Sequence, residues 1–176
     1  MTAMPTLGFP YCDASAVSDE GHVGGVSITP AGERHVYVYR NRTMTDLGGG
    51  LPNSNVWVEG INNDDDVIGM WQYGGYAGYT GFLYRAGVMG PLASGYTEPL
   101  DINNAGVVAG DAIFGIEGHA FVWDATNGLQ DLNGLIDPGL GLTLGAVQGI
   151  NDVGQMTGTG QRADGSSFAF ILTPVW

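Results

Sequence analysis

The sequence holds only five Lys or Arg against eighteen Asp or Glu in 176 residues, a formal net charge of −13. Phosphate contacts dominate nucleic-acid affinity, so a surface this poor in cations repels DNA, RNA and anionic lipid headgroups, and no nucleic-acid or membrane partner is expected. Cations, cationic ligands, neutral sugars and small metabolites stay open. Cys12 is the single cysteine, which excludes an intramolecular disulfide. No neighbouring cation or histidine marks it as an activated nucleophile. No run of about 18 apolar residues is present, which excludes a transmembrane helix. Residues 1–7 lack a basic stretch followed by an apolar one, so a cytoplasmic protein is expected from the chain as it stands, and a secreted one if an export signal was removed. Ser-His-Asp order, paired CxxC, P-loop and a GxGxxG between strand and helix are all missing.

Glycine is abundant instead, at 31 residues, and the hydrophobic share of 44% supports a packed fold rather than a disordered chain. A chain of this length buries roughly 70% of its unfolded surface, enough for one domain spanning residues 1–176. Four copies of one stretch organise it. They are Val17–Gly25, Ile61–Gly69, Ile102–Gly110 and Ile150–Gly158, and their aligned polar residues Ser18, Asn62, Asn103 and Asn151 are spaced by 44, 41 and 48 residues. Periods of this size mark arrays, solenoids or propellers.

Each repeat reads as four short strands. After the repeated stretch comes a Val-rich segment (23–28, 67–73, 107–114, 155–160), then an aromatic one (35–39, 81–84, 119–123, 168–172), then a fourth (43–48, 88–92, 128–132). β-Branched and aromatic residues with glycine punctuation favour strand, and no helical period competes. In Asn103-Asn104-Ala105-Gly106 the first Asn can bond the backbone two residues on, while Gly106 takes the positive φ that ends such a turn; Asp65 holds that place in the second repeat. The last repeat reaches Trp176 without a fourth strand, and Thr2–Gly8 aligns with Arg42–Gly48, Met4 on Met44 and Leu7 on Leu47. The expected fold is therefore all-β, a four-bladed β-propeller with blades near 9–48, 49–92, 93–132 and 133–176, its ring closed by a strand at 2–8. Half of a dimeric eight-bladed ring is the rival, with a monomer preferred.

His119-Ala120-Phe121-Val122-Trp123, Gly128-Leu129-Gln130-Asp131-Leu132 and Ile102-Asn103-x-x-Gly106-x-Val108-x-Gly110 together resemble the bacterial HAF-type extracellular repeat. The resemblance covers nearly the whole chain and is best in the third repeat; Tyr37, Tyr84, Leu172 and Pro91 depart from the pattern. It implies a propeller-like β-fold and, weakly, export, but no established chemistry.

Long loops that differ between repeats fall on one face of such a fold, and function concentrates in variable loops on a rigid scaffold. The candidate ligand-binding residues there are Tyr11, Trp57, Glu59, Tyr73, Tyr76, Glu98, Asp101, Phe114 and Gln148. An aromatic-walled pocket with a few carboxylates suits a neutral polyol or a cationic small molecule. Glu59 and Asp101 are candidate acid–base residues on inner strands, with Gln148 in Glu59's column; channel lining is the plainer reading of both. The first functional reading is one composite site for a small molecule or glycan. The second is a cofactor-free lyase, isomerase or cyclase, and the third a structural or assembly module. No cofactor and no metal site are expected, although a channel cation is compatible with the carboxylates. Asn62–Asp66 lacks the glycine and distal glutamate of an EF-hand loop, and His35 and His119 share a column with Thr80 and Phe168, so neither set reads as metal ligands.

Overall fold

The computed structural model describes residues 3–49, 55–73 (of Tyr73 the backbone alone) and 78–174. Among the described residues fifteen strands form four antiparallel sheets, one per repeat. The first contains β1 (Cys12–Val17), β2 (Val23–Ile28), β3 (Arg34–Arg40) and β4 (Thr43–Gly48). The second contains β5 (Asn55–Ile61), β6 (Val67–Tyr73), β7 (Gly78–Arg85) and β8 (Val88–Pro91), and the third β9 (Thr97–Ile102), β10 (Val108–Phe114), β11 (Glu117–Asp124) and β12 (Gly128–Asp131). The fourth has three strands, β13 (Leu142–Ile150), β14 (Met156–Arg162) and β15 (Ser167–Leu172). Within every sheet the strands follow chain order, as successive hairpins. Among the described residues no helix is long and apolar enough to cross a membrane.

The repeated stretch is the first hairpin turn of each sheet. Asn103 Oδ1 accepts the N–H groups of Ala105 and Val107 at 3.1 and 2.9 Å, which fixes the turn from inside. Gly106 sits at φ 72° and Asp65, its counterpart, at φ 63°. One turn then hands on to the next sheet. The Asn62 side chain donates to the Asn103 carbonyl (3.2 Å) and Asn103 to the Asn151 carbonyl (3.1 Å); the Asn63 N–H reaches Asn104 Oδ1 and the Asn104 N–H reaches Asp152 Oδ1. Asn104 also reaches Asp19 of the first turn, at 3.4 Å. All four turns line one polar cavity of about 340 Å³.

A second column repeats with equal regularity. Gly25, Gly69, Gly110 and Gly158 face Tyr37, Phe82, Phe121 and Phe170 across the ladder. At Gly69 an added Cβ would meet the Trp57 carbonyl and the Phe82 ring, so the aromatic lies flat over a strand that has no room for a side chain. These aromatics mark one face of each sheet. The opposite face carries Val26, Val36 and Val38 in the first sheet, Ile68 and Met70 in the second, and Ala109, Ala120 and Val122 in the third, all buried. Each such face packs on the first strand of the following sheet, giving three interlocked clusters with centres at Val56–Val58, Ile102–Val108 and Leu144–Val147. In the fourth sheet the same columns hold Thr157, Thr159, Ala169 and Ile171, all exposed. The first sheet is likewise bare on its other side, where Ala14 is exposed and Val17 is 68% accessible against 7% for its counterpart Ile61.

Four antiparallel sheets from four repeats agree with the all-β expectation. The strand expected at 2–8 is a difference. Residues 3–8 belong to no strand, and the Leu7 N–H donates to Ser27 Oγ of the first sheet at 3.0 Å. Pro5 supplies the physical reason, because it stands in the column of Gly90. Counting alternate residues from the Leu92 N–H···Gly81 carbonyl bond turns the Gly90 N–H toward β7, and proline has no N–H to give there.

Candidate functional site

Each first strand carries a bulge whose extra residue is Ser15, Glu59, Leu100 or Gln148, and β13 has a second at Gly145. A bulge re-aims a side chain. In the second sheet it brings Glu59 beside a groove of about 380 Å³ lined by Trp57, Glu59, Met70, Gln72 and Tyr79. The sheet's pleat puts Trp57 opposite Met70, and Gln72 opposite Tyr79, on one face. Tyr79 stacks on Trp57 with ring centres 6.4 Å apart, and Gln72 Nε2 donates to the Tyr79 hydroxyl at 2.6 Å. Trp57 is 38% exposed, an open aromatic wall.

The third sheet supplies the acidic side. Glu98 and Asp111 are directly paired across β9 and β10, so two carboxylates share one face. The Tyr96 hydroxyl donates to Glu98 Oε2 at 2.5 Å. Burial raises the Asp111 carboxyl from 3.8 to about 6, with the Glu98 charge adding to it. Burial also raises Glu59, and again Glu98 contributes. Tyr96 is raised by burial, then by its bond to Glu98 and the charges of Glu98 and Asp111. These effects place Glu98 within electrostatic reach of Glu59, Asp111 and Tyr96. None of the five arginines and none of the three histidines forms an ion pair with the three carboxylates; each ion pair among the described residues lies elsewhere. No group of three or more His, Cys, Asp or Glu among the described residues has a metal-holding arrangement.

Of the residues singled out in the sequence, Trp57, Glu59 and Glu98 come together here. Asp101 does not join them. Its Oδ2 accepts the Ile150 N–H at 2.8 Å and its Oδ1 the Ile102 N–H at 2.9 Å, so it ties the third sheet to the fourth at the turn cavity. Burial raises its carboxyl and these two backbone bonds oppose the rise. Tyr11 lies on the first sheet, donating to Asp13 at 3.1 Å beneath the Arg34 guanidinium. Phe114 stacks on His119 with ring centres 6.0 Å apart, and Gln148 is exposed on β13. Tyr73 ends β6, its side chain undescribed, and Tyr76 lies outside the described residues. Sequence reasoning left Gln72 and Asp111 out of the site. Asp111 did carry a signal, since its column otherwise holds Val26, Met70 and Thr159, none of them charged.

No protein-family model matches the chain, and no curated protein matches it.

Proposed function

We propose that the four sheets are blades of a four-bladed β-propeller of the HAF-repeat type, and that it binds one small molecule in the groove between the second and third blades. The reading rests above all on Glu59, Glu98 and Asp111, three carboxylates without a cation beside an open Trp57–Tyr79 wall. Carboxylates brought together in part-buried surroundings repel one another and are costly to keep ionised, and a ligand cation relieves that cost while stacking on the indole. An organic amine or guanidinium fits best. A neutral glycan fits next, through the aromatic wall with Gln72 and the carboxylates as hydrogen-bond partners.

The bond between Tyr96 and Glu98, beside an Asp111 carboxyl near 6, supports a second reading. Such groups can pass a proton near neutral pH, as a cofactor-free lyase, isomerase or cyclase requires.

The test is titration with a panel of alkylamines, guanidinium compounds and neutral oligosaccharides, followed by tryptophan fluorescence and calorimetry. Amine binding that weakens at least tenfold in Trp57→Ala and in Glu98→Gln is the expected result, about 1.4 kcal/mol or more. Binding indifferent to both substitutions, or none across the panel, overturns the reading.

A further inference from the structure

Asn55, Gln72 and Tyr79 stand in one row across β5, β6 and β7. Their polar groups form a relay along that row. Asn55 Nδ2 donates to Gln72 Oε1 at 3.3 Å, and Gln72 Nε2 donates to the Tyr79 hydroxyl at 2.6 Å. The relay sets the direction of the last bond. The Tyr79 oxygen accepts from Gln72, so its own proton is left to point elsewhere. Among the described residues no acceptor takes that proton. Tyr96 differs, because its proton is committed to Glu98 Oε2. Tyr79 therefore offers a hydrogen-bond donor to whatever enters the groove it lines with Trp57, Glu59, Met70 and Gln72.

A donor and a carboxylate on one groove make separate demands on a ligand. Glu59 calls for a cation, and Tyr79 calls for an acceptor. That acceptor must be neutral: no ion pair among the described residues involves Glu59, Glu98 or Asp111, so an anionic group would meet only repulsion. Hydroxyl and ether oxygens qualify, whereas carboxylate and phosphate do not. A plain alkylamine or guanidinium brings no acceptor and strips water from the Tyr79 proton without replacing it. A neutral sugar brings acceptors but no counter-charge for Glu59. Trp57, 38% exposed and stacked on Tyr79, adds a flat apolar wall that suits the C–H face of a rigid ring. The groove of about 380 Å³ lies at the small end of the roughly 300–1,000 Å³ that ligand pockets span, room for a small ring rather than a long chain.

We infer, resting on the reading of this groove as an amine site, that its ligand is a protonated amino sugar. Its ammonium sits on Glu59, a ring hydroxyl or ether oxygen accepts from Tyr79, and its C–H face lies on Trp57. One ligand class thereby joins the charge that the carboxylates ask for to the oxygens that the hydroxyl asks for. A rigid ring also fixes the amine and the hydroxyls in direction, so less freedom is lost on binding. Gln72 acts as a positioning residue, because its amide decides which way Tyr79 donates.

Calorimetric titration of the full chain with D-glucosamine, N-acetylglucosamine and cyclohexylamine tests this. N-acetylglucosamine, which keeps the ring and loses the charge, should bind about tenfold more weakly than glucosamine. Tyr79→Phe keeps the ring on Trp57 and removes the donor. It should weaken glucosamine by about fivefold, the worth of one hydrogen bond, and leave cyclohexylamine unchanged. Gln72→Glu sets a carboxylate where the amide now donates, which draws the Tyr79 proton onto itself. Glucosamine should then lose ground against cyclohexylamine even though the groove has gained a negative charge. Cyclohexylamine binding without glucosamine binding, or an equal effect of Tyr79→Phe on both, overturns the amino sugar and leaves the amine reading standing. N-acetylglucosamine binding as tightly as glucosamine, or no binding by any of the three, overturns both.

Discussion

The two ends of the sheet array handle charge in opposite ways. At the turn end every buried acidic group has a partner. Asp66 receives Arg85 at 2.7 Å, Asp65 receives Arg40 at 2.6 Å, and Asp101 holds two backbone N–H groups. At the groove end Glu98 is paired with Asp111 and acts on Glu59, none of the three has an ion pair, and burial raises two of them. Two of the five arginines, Arg40 and Arg85, stand where sheets meet. The difference separates what holds the sheets together from what is open to a ligand.

Removing Arg85 should break the comparison most severely. Its guanidinium binds Asp66 twice, donates to the Gly106 carbonyl at 3.0 Å and covers the Trp123 ring, linking the second sheet to the third. Arg85→Ala leaves Asp66, 6% exposed, without its counter-ion. We expect a loss of about 3 kcal/mol in chemical denaturation, since a buried charge stripped of its partner is the costly case. Arg85→Ala combined with Asp66→Ala should recover much of that loss. Asn103→Ala ranks next, because Oδ1 satisfies two turn N–H groups and Nδ2 reaches the next sheet. A loss of about 2 kcal/mol is expected from the same measurement.

At the groove the expected signs reverse. The Asp111 carboxyl has a folded value near 6 against an ordinary 3.8, so the folded chain binds the extra proton over that interval. The stability linked to this proton is fully present below about pH 4 and is lost as pH rises through about 6. Thermal midpoints measured from pH 4 to pH 7 should therefore show a downward contribution that Asp111→Asn removes. The same slope in wild type and variant would disconnect Asp111 from the groove's electrostatics.

The fold was far more legible than the site. Turn chemistry is local: Asn103 bonds its own turn and Gly106 supplies the positive φ, so a motif of nine residues announces each sheet without knowledge of the rest of the chain. The site draws its groove from the second sheet and its acidic pair from the third. Trp57 and Glu59 come from β5, Gln72 from β6, Tyr79 from β7 and Asp111 from β10, and no spacing in sequence relates them. Asp101 shows the same limit from the other side. It resembles Glu59 in sequence, but the bulge in β9 falls on Leu100, so Asp101 serves the joint to Ile150 instead.

Glu59→Gln should change stability least and is the sharpest test of the contrast. The side chain lies at the bulge of β5, reaches solvent, and has no hydrogen-bond or ion-pair partner among the described residues, so nothing structural is lost when its charge goes. Its carboxyl is raised by burial and by Glu98, so above the raised value its ionisation costs folding stability. Substitution removes that cost, and the denaturation midpoint at pH 7 should stay level or rise slightly. Asp101→Asn, which weakens acceptance from Ile150 and Ile102, should lower it. If Glu59→Gln instead destabilised the chain as much as Asp101→Asn, the two ends would be built alike, and the groove carboxylates would belong to the scaffold.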